Sequence, residues 1–88
     1  MNYKTFLEIE RMVNRLKTNM LYQLMKKSEK YGTSWKTCDI QFLRKRLHGE
    51  IEEWEKICSK DDFKEIKELI DIANVCAMII ERLQTDIN

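Results

Sequence analysis

Two pairs of carboxylates, each placed inside an otherwise apolar helical stripe, constrain most strongly how this chain can fold. Glu50 and Glu53 form the first pair, and Glu68 and Asp71 form the second. Residues three apart on an α-helix are surface neighbours, with Cβ atoms about 5–6 Å apart, so each pair directs two acids to one point. Four acids that face one another repel strongly. A hard divalent cation such as Mg²⁺, which takes oxygen ligands, resolves that repulsion.

Apolar residues with three-and-four spacing predict three helices. The first covers residues 2–30, the second 37–58, and the third 59–84, where the first residues have the S-x-x-D form of a capping box. Gly32 marks the break between the first two helices, and the chain contains no proline. The sequence therefore predicts an all-α antiparallel helical bundle of three main helices, in a single domain over residues 1–88.

The position of the acids on the helices distinguishes them from ordinary surface charges. On a helical wheel Glu50 lies near the centre of the apolar stripe of the second helix, whereas solvated charges lie opposite such a stripe. Over residues 69–80 of the third helix, the only polar side chains are Asp71 and Asn74. A helix that is apolar nearly all round is expected to be buried on more than one side. Asp71 and Asn74 therefore need a metal, a partner or a ligand, because burying unpaired polar groups is unfavourable.

The composition narrows the possible partners. The 88 residues include 16 basic and 15 acidic side chains, a balance that creates no strong field toward a nucleic acid polymer or an acidic membrane. No apolar run is long enough for a membrane span, and Glu8 and Glu10 interrupt the amino terminus in a way that no signal peptide allows. We therefore expect a cytoplasmic protein. Three widely spaced cysteines favour reduced packing residues over a disulfide framework or a zinc site.

The order and separation of the acidic pairs resemble a known family. Glu-x-x-Glu at residues 50–53 is followed fifteen residues after Glu53 by Glu-x-x-Asp at residues 68–71. Upstream, the residues Lys30-Tyr31-Gly32-Thr33-Ser34-Trp35 resemble the segment that precedes the first acidic helix in small MazG-like proteins. Downstream, Asp71-Ile72-Ala73-Asn74 also resembles a segment of those proteins. Over about residues 30–83 the chain is thus similar to the MazG-like all-α nucleoside triphosphate pyrophosphatases. That superfamily also holds the dimeric dUTPases and phosphoribosyl-ATP pyrophosphatase.

The resemblance implies a Mg²⁺-dependent enzyme, with Mn²⁺ as a possible substitute, that cleaves a nucleoside triphosphate between its α and β phosphates. The products are a nucleoside monophosphate and pyrophosphate. The four carboxylates are expected to be both metal ligands and catalytic residues: Glu50, Glu53, Glu68 and Asp71. Their chemistry agrees with this, because such ligands can hold Mg²⁺ ions that neutralise phosphate and activate water. One of them, or the neighbouring Glu52, can take the proton of the water.

Four further residues are predicted to bind the substrate. By resemblance, Trp35 stacks on the base, with a core or interface tryptophan as the alternative. Lys64, one turn before Glu68, lies where the family often has a lysine near the phosphates, although a solvated helix lysine is an alternative. Asn74 is a candidate for sugar or phosphate contact, and Arg82 is a candidate cation for the phosphates.

Other interpretations of the same pattern remain open. The acids can instead pair with Arg44, Arg46 or Lys67 across the bundle. The chain can be a noncatalytic helical interaction module derived from the same fold, or a phosphoribosyl-ATP pyrophosphatase with the same chemistry and another substrate. In each case the short chain is expected to complete its core by homodimerisation, as a homodimer or a dimer of dimers, because small single cores rarely supply enough stability alone.

Overall fold

The computed structural model describes residues 1–57 and 61–87. Within those residues the chain folds into α1 (Tyr3–Tyr31), a short 3₁₀ turn (Ser34–Lys36), α2 (Ile40–Lys56) and α3 (Asp62–Ile87). The predicted all-helical class and the three main helices are confirmed. The observed ends of the helices differ from the predicted ones by up to three residues wherever both lie in the described part of the chain.

Polar side chains and a glycine set the ends of α1. The Asn2 side chain accepts a hydrogen bond from the backbone N–H of Thr5 at 2.8 Å, which satisfies one of the free donors of the first turn. At the other end Gly32 adopts a φ of 59°, and its N–H donates to the Ser28 carbonyl at 2.8 Å. Glycine suits this position because a positive φ is unfavourable for residues with a Cβ atom.

Aspartates begin the other two helices. The Asp39 side chain accepts a hydrogen bond from Gln41 N at 2.8 Å at the start of α2. Asp61 does the same for α3, accepting from Phe63 N at 3.1 Å and Lys64 N at 3.3 Å. The capping box was predicted to begin at Ser59, which lies outside the described residues. Among the described residues, Asp61 is the residue whose side chain caps α3.

Helix α3 packs against both α2 and α1. Glu53 near the end of α2 faces Glu68 early in α3, and Cys38 just before α2 contacts Arg82 late in α3. The helices α2 and α3 are therefore antiparallel. Helix α1 contacts the middle of α3, where the Met20 carbonyl accepts a hydrogen bond from Asn74 and Lys27 pairs with Asp71.

The core lies where α3 packs between the other two helices. Its buried apolar side chains, within the described residues, come from α2 and α3: Leu43, Ile70, Val75 and Met78. Residues 70–79 of α3 are all buried or half-buried, which confirms the prediction that this helix is covered on more than one side. The amino-terminal half of α1 is exposed by contrast, even though it carries a continuous apolar stripe.

The lengths and compositions of the helices also bear on the membrane prediction. Across residues 1–57 and 61–87, none of the helices is both long enough and apolar enough to cross a bilayer.

Candidate metal and nucleotide site

Antiparallel packing of α2 against α3 brings the two acidic pairs face to face. Glu50 and Glu53 lie on adjacent turns of α2, and Glu68 and Asp71 lie on adjacent turns of α3, because residues three apart share one helix face. The same spacing that places each pair on one side of its helix therefore places both pairs at one interhelical seam.

Three of the four predicted ligands converge in the structure. One carboxylate oxygen from each of Glu50, Glu53 and Glu68 lies within 4.8 Å of the others. We call these three residues the glutamate cluster. Glu50 and Glu68 are half-buried, whereas Glu53 is exposed. Glu68 Oε2 is buried and accepts no hydrogen bond from the part of the chain that the structure describes.

The pKa of Glu50, one of the three residues of the glutamate cluster, is raised. Burial is the main cause that raises the pKa of Glu50 above its ordinary value of 4.5, and the negative charge of Asp71 is the second. Glu53 and Glu68 raise this pKa further, while the positive charge of Lys27 lowers it. Burial and like charges both disfavour a carboxylate anion, so both raise its pKa. The other three predicted acids therefore all act on Glu50.

Asp71, the fourth predicted ligand, has a partner of its own. It is 6% exposed, and its Oδ1 lies 3.0 Å from the Nζ of Lys27 on α1. The structure thus joins Asp71 to the glutamate cluster electrostatically and to Lys27 by an ion pair. Its role as a metal ligand stays a prediction. The sequence analysis did not single out Lys27, although its position three residues after Leu24 continues the apolar stripe of α1.

A cavity of about 270 Å³ lies between the helices and the 3₁₀ turn, and Asp71 is the predicted acid that lines it. Its size is near the lower end of the range for small-molecule sites, about 300–1,000 Å³. Its walls are largely apolar, with contributions from Leu24, Val75 and Met78, among others. The polar and charged side chains at its edge include Lys27, Arg46, Asp71 and Asn74. An apolar cavity with a few polar groups is typical of a ligand site.

Trp35 lines this cavity from the 3₁₀ turn. Its side chain is half-buried, and the ammonium of Lys36 lies 5.9 Å from the ring centroid, within the distance of a cation–π contact. Arg82 holds the turn from α3, because its Nη1 donates to the Trp35 carbonyl at 2.9 Å. The structure therefore brings Trp35 to the cavity, and stacking on a base stays a prediction.

Asn74 lines the same cavity and carries a buried acceptor oxygen. The residue is 5% exposed, and its Nδ2 donates to the Met20 carbonyl at 3.3 Å. Its Oδ1 is buried and receives no hydrogen bond from the described part of the chain. An unsatisfied buried acceptor is unfavourable by about 1–3 kcal/mol, and contact of Asn74 with a sugar or phosphate stays a prediction.

The remaining two predicted substrate-binding residues, Arg82 and Lys64, do not belong to the glutamate cluster. Arg82 uses Nη1 on two backbone carbonyls of the Trp35 segment, so in the structure it positions the wall of the cavity. Lys64 is exposed on the first turn of α3, one turn before Glu68. Direct contact of either residue with phosphate stays a prediction.

The donor set of the cluster fits a hard divalent cation. Carboxylate oxygens are the ligands that Mg²⁺ and Mn²⁺ prefer, and Mg²⁺ is usually held by one or two carboxylates together with water and substrate phosphate. Crowding of like charges at Glu50 gives a cation a favourable field. Residues of the cluster that can hold the ion are Glu50, Glu53 and Glu68, with Asp71 adjacent.

Comparison with family models, curated proteins and solved structures finds no match to this chain. The resemblance to the MazG-like superfamily therefore stays a prediction from the residues quoted above.

Proposed function

We propose that the protein is a Mg²⁺-dependent nucleoside triphosphate pyrophosphohydrolase that yields a nucleoside monophosphate and pyrophosphate. The observation that carries the proposal is the convergence of Glu50, Glu53 and Glu68 within 4.8 Å at an interhelical seam. Asp71, whose charge acts on Glu50, connects this cluster to the cavity that it lines. A metal site next to an apolar cavity provides for both parts of a nucleotide. The phosphates need cations, and the base needs an apolar, partly aromatic surface.

In this proposal the acids bind the metal ion, and one carboxylate accepts a proton. The glutamate cluster and Asp71 hold Mg²⁺, which supplies neutralisation of phosphate charge and activation of a water molecule when it is bound. A carboxylate of the cluster, or the exposed Glu52, accepts the proton of the attacking water.

The cavity is the proposed site for the base and sugar. Trp35 stacks on the base, and such stacking contributes about 1–3 kcal/mol per base. Asn74 Oδ1 accepts a hydrogen bond from a donor of the base or the sugar, which satisfies its buried oxygen. Lys64 and Arg82 are proposed as phosphate cations, in the case of Arg82 through the nitrogens other than Nη1. Phosphoribosyl-ATP is the alternative substrate for the same chemistry.

The exposed apolar stripe of α1 supports a second copy of the chain as a partner. Five of its large apolar side chains are between 42% and 63% exposed: Phe6, Ile9, Met12, Val13 and Leu16. A continuous exposed apolar surface of this kind is typical of an interaction site. We therefore include a homodimer, or a dimer of dimers, in the proposal. The cytoplasm, where Mg²⁺ and nucleotides are abundant, is the proposed location.

A panel of ribo- and deoxyribonucleoside triphosphates and phosphoribosyl-ATP, incubated with the protein and Mg²⁺, tests the proposed reaction. ³¹P NMR distinguishes pyrophosphate from orthophosphate in the products. We expect pyrophosphate and a monophosphate in equal amounts, and no reaction in excess EDTA. Release of orthophosphate alone contradicts the proposed cleavage position.

The isosteric variants Glu53→Gln and Glu55→Gln form a matched pair for this experiment. Both positions are exposed on α2, but only Glu53 belongs to the glutamate cluster. We expect E53Q to lower kcat/KM by more than the roughly 10–100-fold that is typical of residues supporting a metal ligand. E55Q keeps the parent rate. Equal rates for both variants contradict the metal assignment. A folded protein that hydrolyses none of the substrates supports the noncatalytic interaction module.

A further inference from the structure

The buried carboxylate of Asp71 pairs with an ammonium group from another helix. Lys27 Nζ and Asp71 Oδ1 lie 3.0 Å apart, and the side chains of the two residues are 32% and 7% exposed, respectively. The contact is an ion pair without a well-aligned hydrogen bond, since Asp71 Oδ1 accepts none within the described residues. Lys27 therefore balances the charge of Asp71 while part of its own side chain stays open to water.

Lys27 also lines the cavity and acts electrostatically on the glutamate cluster. Its side chain lines the cavity together with Trp35 and Arg46. Its positive charge also acts on the glutamate cluster, where it lowers the pKa of Glu50 against the effect of burial. One flexible cation thus lies between a group of acids suited to a divalent ion and a cavity suited to a nucleotide.

We propose that Lys27 exchanges partners, pairing with Asp71 until a divalent cation binds the acids and then binding a phosphate group of the nucleotide. The proposal rests on the proposed function, because it assigns a role in the same site. Lysine suits both roles. Its charge lies at the end of a flexible four-carbon stem, and its three donors bind phosphate as a compact point charge.

Electrostatics gives the exchange its direction. A divalent cation near Asp71 neutralises the carboxylate and repels the ammonium group, so metal binding favours release of Lys27. A triphosphate then presents several negative charges at the edge of the cavity that Lys27 already lines. Because a metal ion must displace Lys27 from the Asp71 carboxylate, it binds the parent protein more weakly than the acids alone would allow.

Mn²⁺ alone, titrated into the protein and followed by the EPR signal of the free ion, tests the first step. Lys27→Met keeps most of the apolar stem and removes the competing charge, so we expect about tenfold tighter Mn²⁺ binding. Lys26→Met is the matched control. Lys26 is exposed, and its Nζ lies 6.0 Å from the ring centroid of Tyr22. K26M is expected to change the Mn²⁺ affinity by less than about twofold.

The Asp71→Asn background separates competition for Asp71 from a general effect of charge. If Lys27 and the metal compete for this carboxylate, adding K27M to D71N leaves the Mn²⁺ affinity within about twofold of D71N alone. Equal tightening by K27M in both backgrounds overturns the exchange, because it shows only a long-range charge effect. An unchanged Mn²⁺ affinity in K27M also overturns it.

Inorganic tripolyphosphate with saturating Mn²⁺, measured by calorimetry, tests the second step without assuming any base. Loss of one charge-assisted contact is expected to weaken tripolyphosphate binding by about tenfold in K27M relative to the parent protein. The same loss is expected in K27M/D71N relative to D71N. The double variant replaces the ion pair by neutral groups, so it carries this comparison if K27M alone does not fold. Unchanged tripolyphosphate affinity in both comparisons overturns the phosphate role of Lys27.

The proposed function can fail separately from this inference. A wild-type protein that shows both predicted affinity changes but releases no pyrophosphate from any nucleotide supports the exchange and overturns the proposed function. A wild-type protein that releases pyrophosphate, with K27M binding Mn²⁺ and tripolyphosphate as the parent does, overturns the exchange and supports the proposed function.

Discussion

Arg82 near the end of α3 anchors Trp35 on the 3₁₀ turn. Its Nη1 donates to the Trp35 carbonyl at 2.9 Å and to the Cys38 carbonyl at 2.7 Å, so one guanidinium spans the connection between α1 and α2. Such charge-assisted bonds are stronger than neutral ones. The position of Trp35 at the cavity therefore depends on a residue 47 positions further along the chain.

Replacing Arg82 by methionine tests this anchoring. We expect R82M to lower the free energy of unfolding by about 1–3 kcal/mol, because two part-buried carbonyls lose a charged donor. Nucleotide KM rises as well, since the wall that carries Trp35 loosens. Urea denaturation and steady-state kinetics measure the two effects. R82K is the informative comparison, because lysine keeps the charge but not the planar fork of donors. An R82M protein with parent stability contradicts the anchoring role.

Trp35 itself is expected to act on the ligand more than on the fold. Trp35→Ala should weaken nucleotide binding by about 1–3 kcal/mol, the value of one stacked base. The matched control is Trp54→Ala, because Trp54 is also half-buried but lies in the apolar stripe of α2. We expect W54A to lower the melting temperature more than W35A does. The reverse pattern, with parent KM for W35A, would assign Trp35 to the core.

Most of the helical architecture could be predicted from local spacing. Three-and-four periodicity placed all three helices because the apolar stripe is continuous within each helix, as at Leu43 and Leu47 of α2. The start of α3 is less regular. Its described capping residue is Asp61, two positions after the predicted one, because several aspartates and a serine in this segment can each cap a helix.

Helical spacing predicted the acids of the site but not the polar contacts between different helices. The acidic pairs predicted the glutamate cluster, since helical spacing alone brings each pair to one face. Lys27 was missed because its ion pair with Asp71 joins α1 to α3, and no local pattern encodes which of several lysines crosses between helices. The anchoring contact of Arg82 was missed for the same reason. Long-range polar contacts depend on the packing of the helices.

The raised pKa of Glu50 predicts how stability without divalent ions varies with pH. The folded state holds this proton more strongly than the unfolded chain, whose ordinary value is 4.5. Stability from this group is therefore fully present below about pH 4.5 and is lost as the pH rises through the raised pKa. Urea denaturation in EDTA from pH 4.5 to 7.5 measures the decrease in the free energy of unfolding. Glu50→Gln should remove the part of this decrease that is due to Glu50.

Glu52→Gln is the control for this pH dependence, because Glu52 is an exposed neighbour on α2. Its pH profile should match that of the parent. Magnesium should reverse the trend, since a metal ion binds the deprotonated acids and stabilises the folded state by mass action. We therefore expect Mg²⁺ to raise the melting temperature more at pH 7.5 than at pH 5. Equal effects at both values would exclude competition between the metal and protons at these acids.

Self-association through the exposed stripe of α1 is the last expected outcome. Leu16 is 43% exposed on this stripe, and the described core contains few fully buried apolar side chains, so a second copy of the chain adds the apolar contacts that one copy lacks. Light scattering at micromolar concentration should give at least twice the chain mass of 10.7 kDa. Leu16→Glu should shift the protein toward monomer and lower its melting temperature, because a charge in an apolar interface is unfavourable. Thr18→Glu adds the same charge at an exposed polar position of α1 and should leave the mass unchanged. A parent protein of single-chain mass, with a melting temperature independent of concentration, would show that α1 does not pair with a second copy.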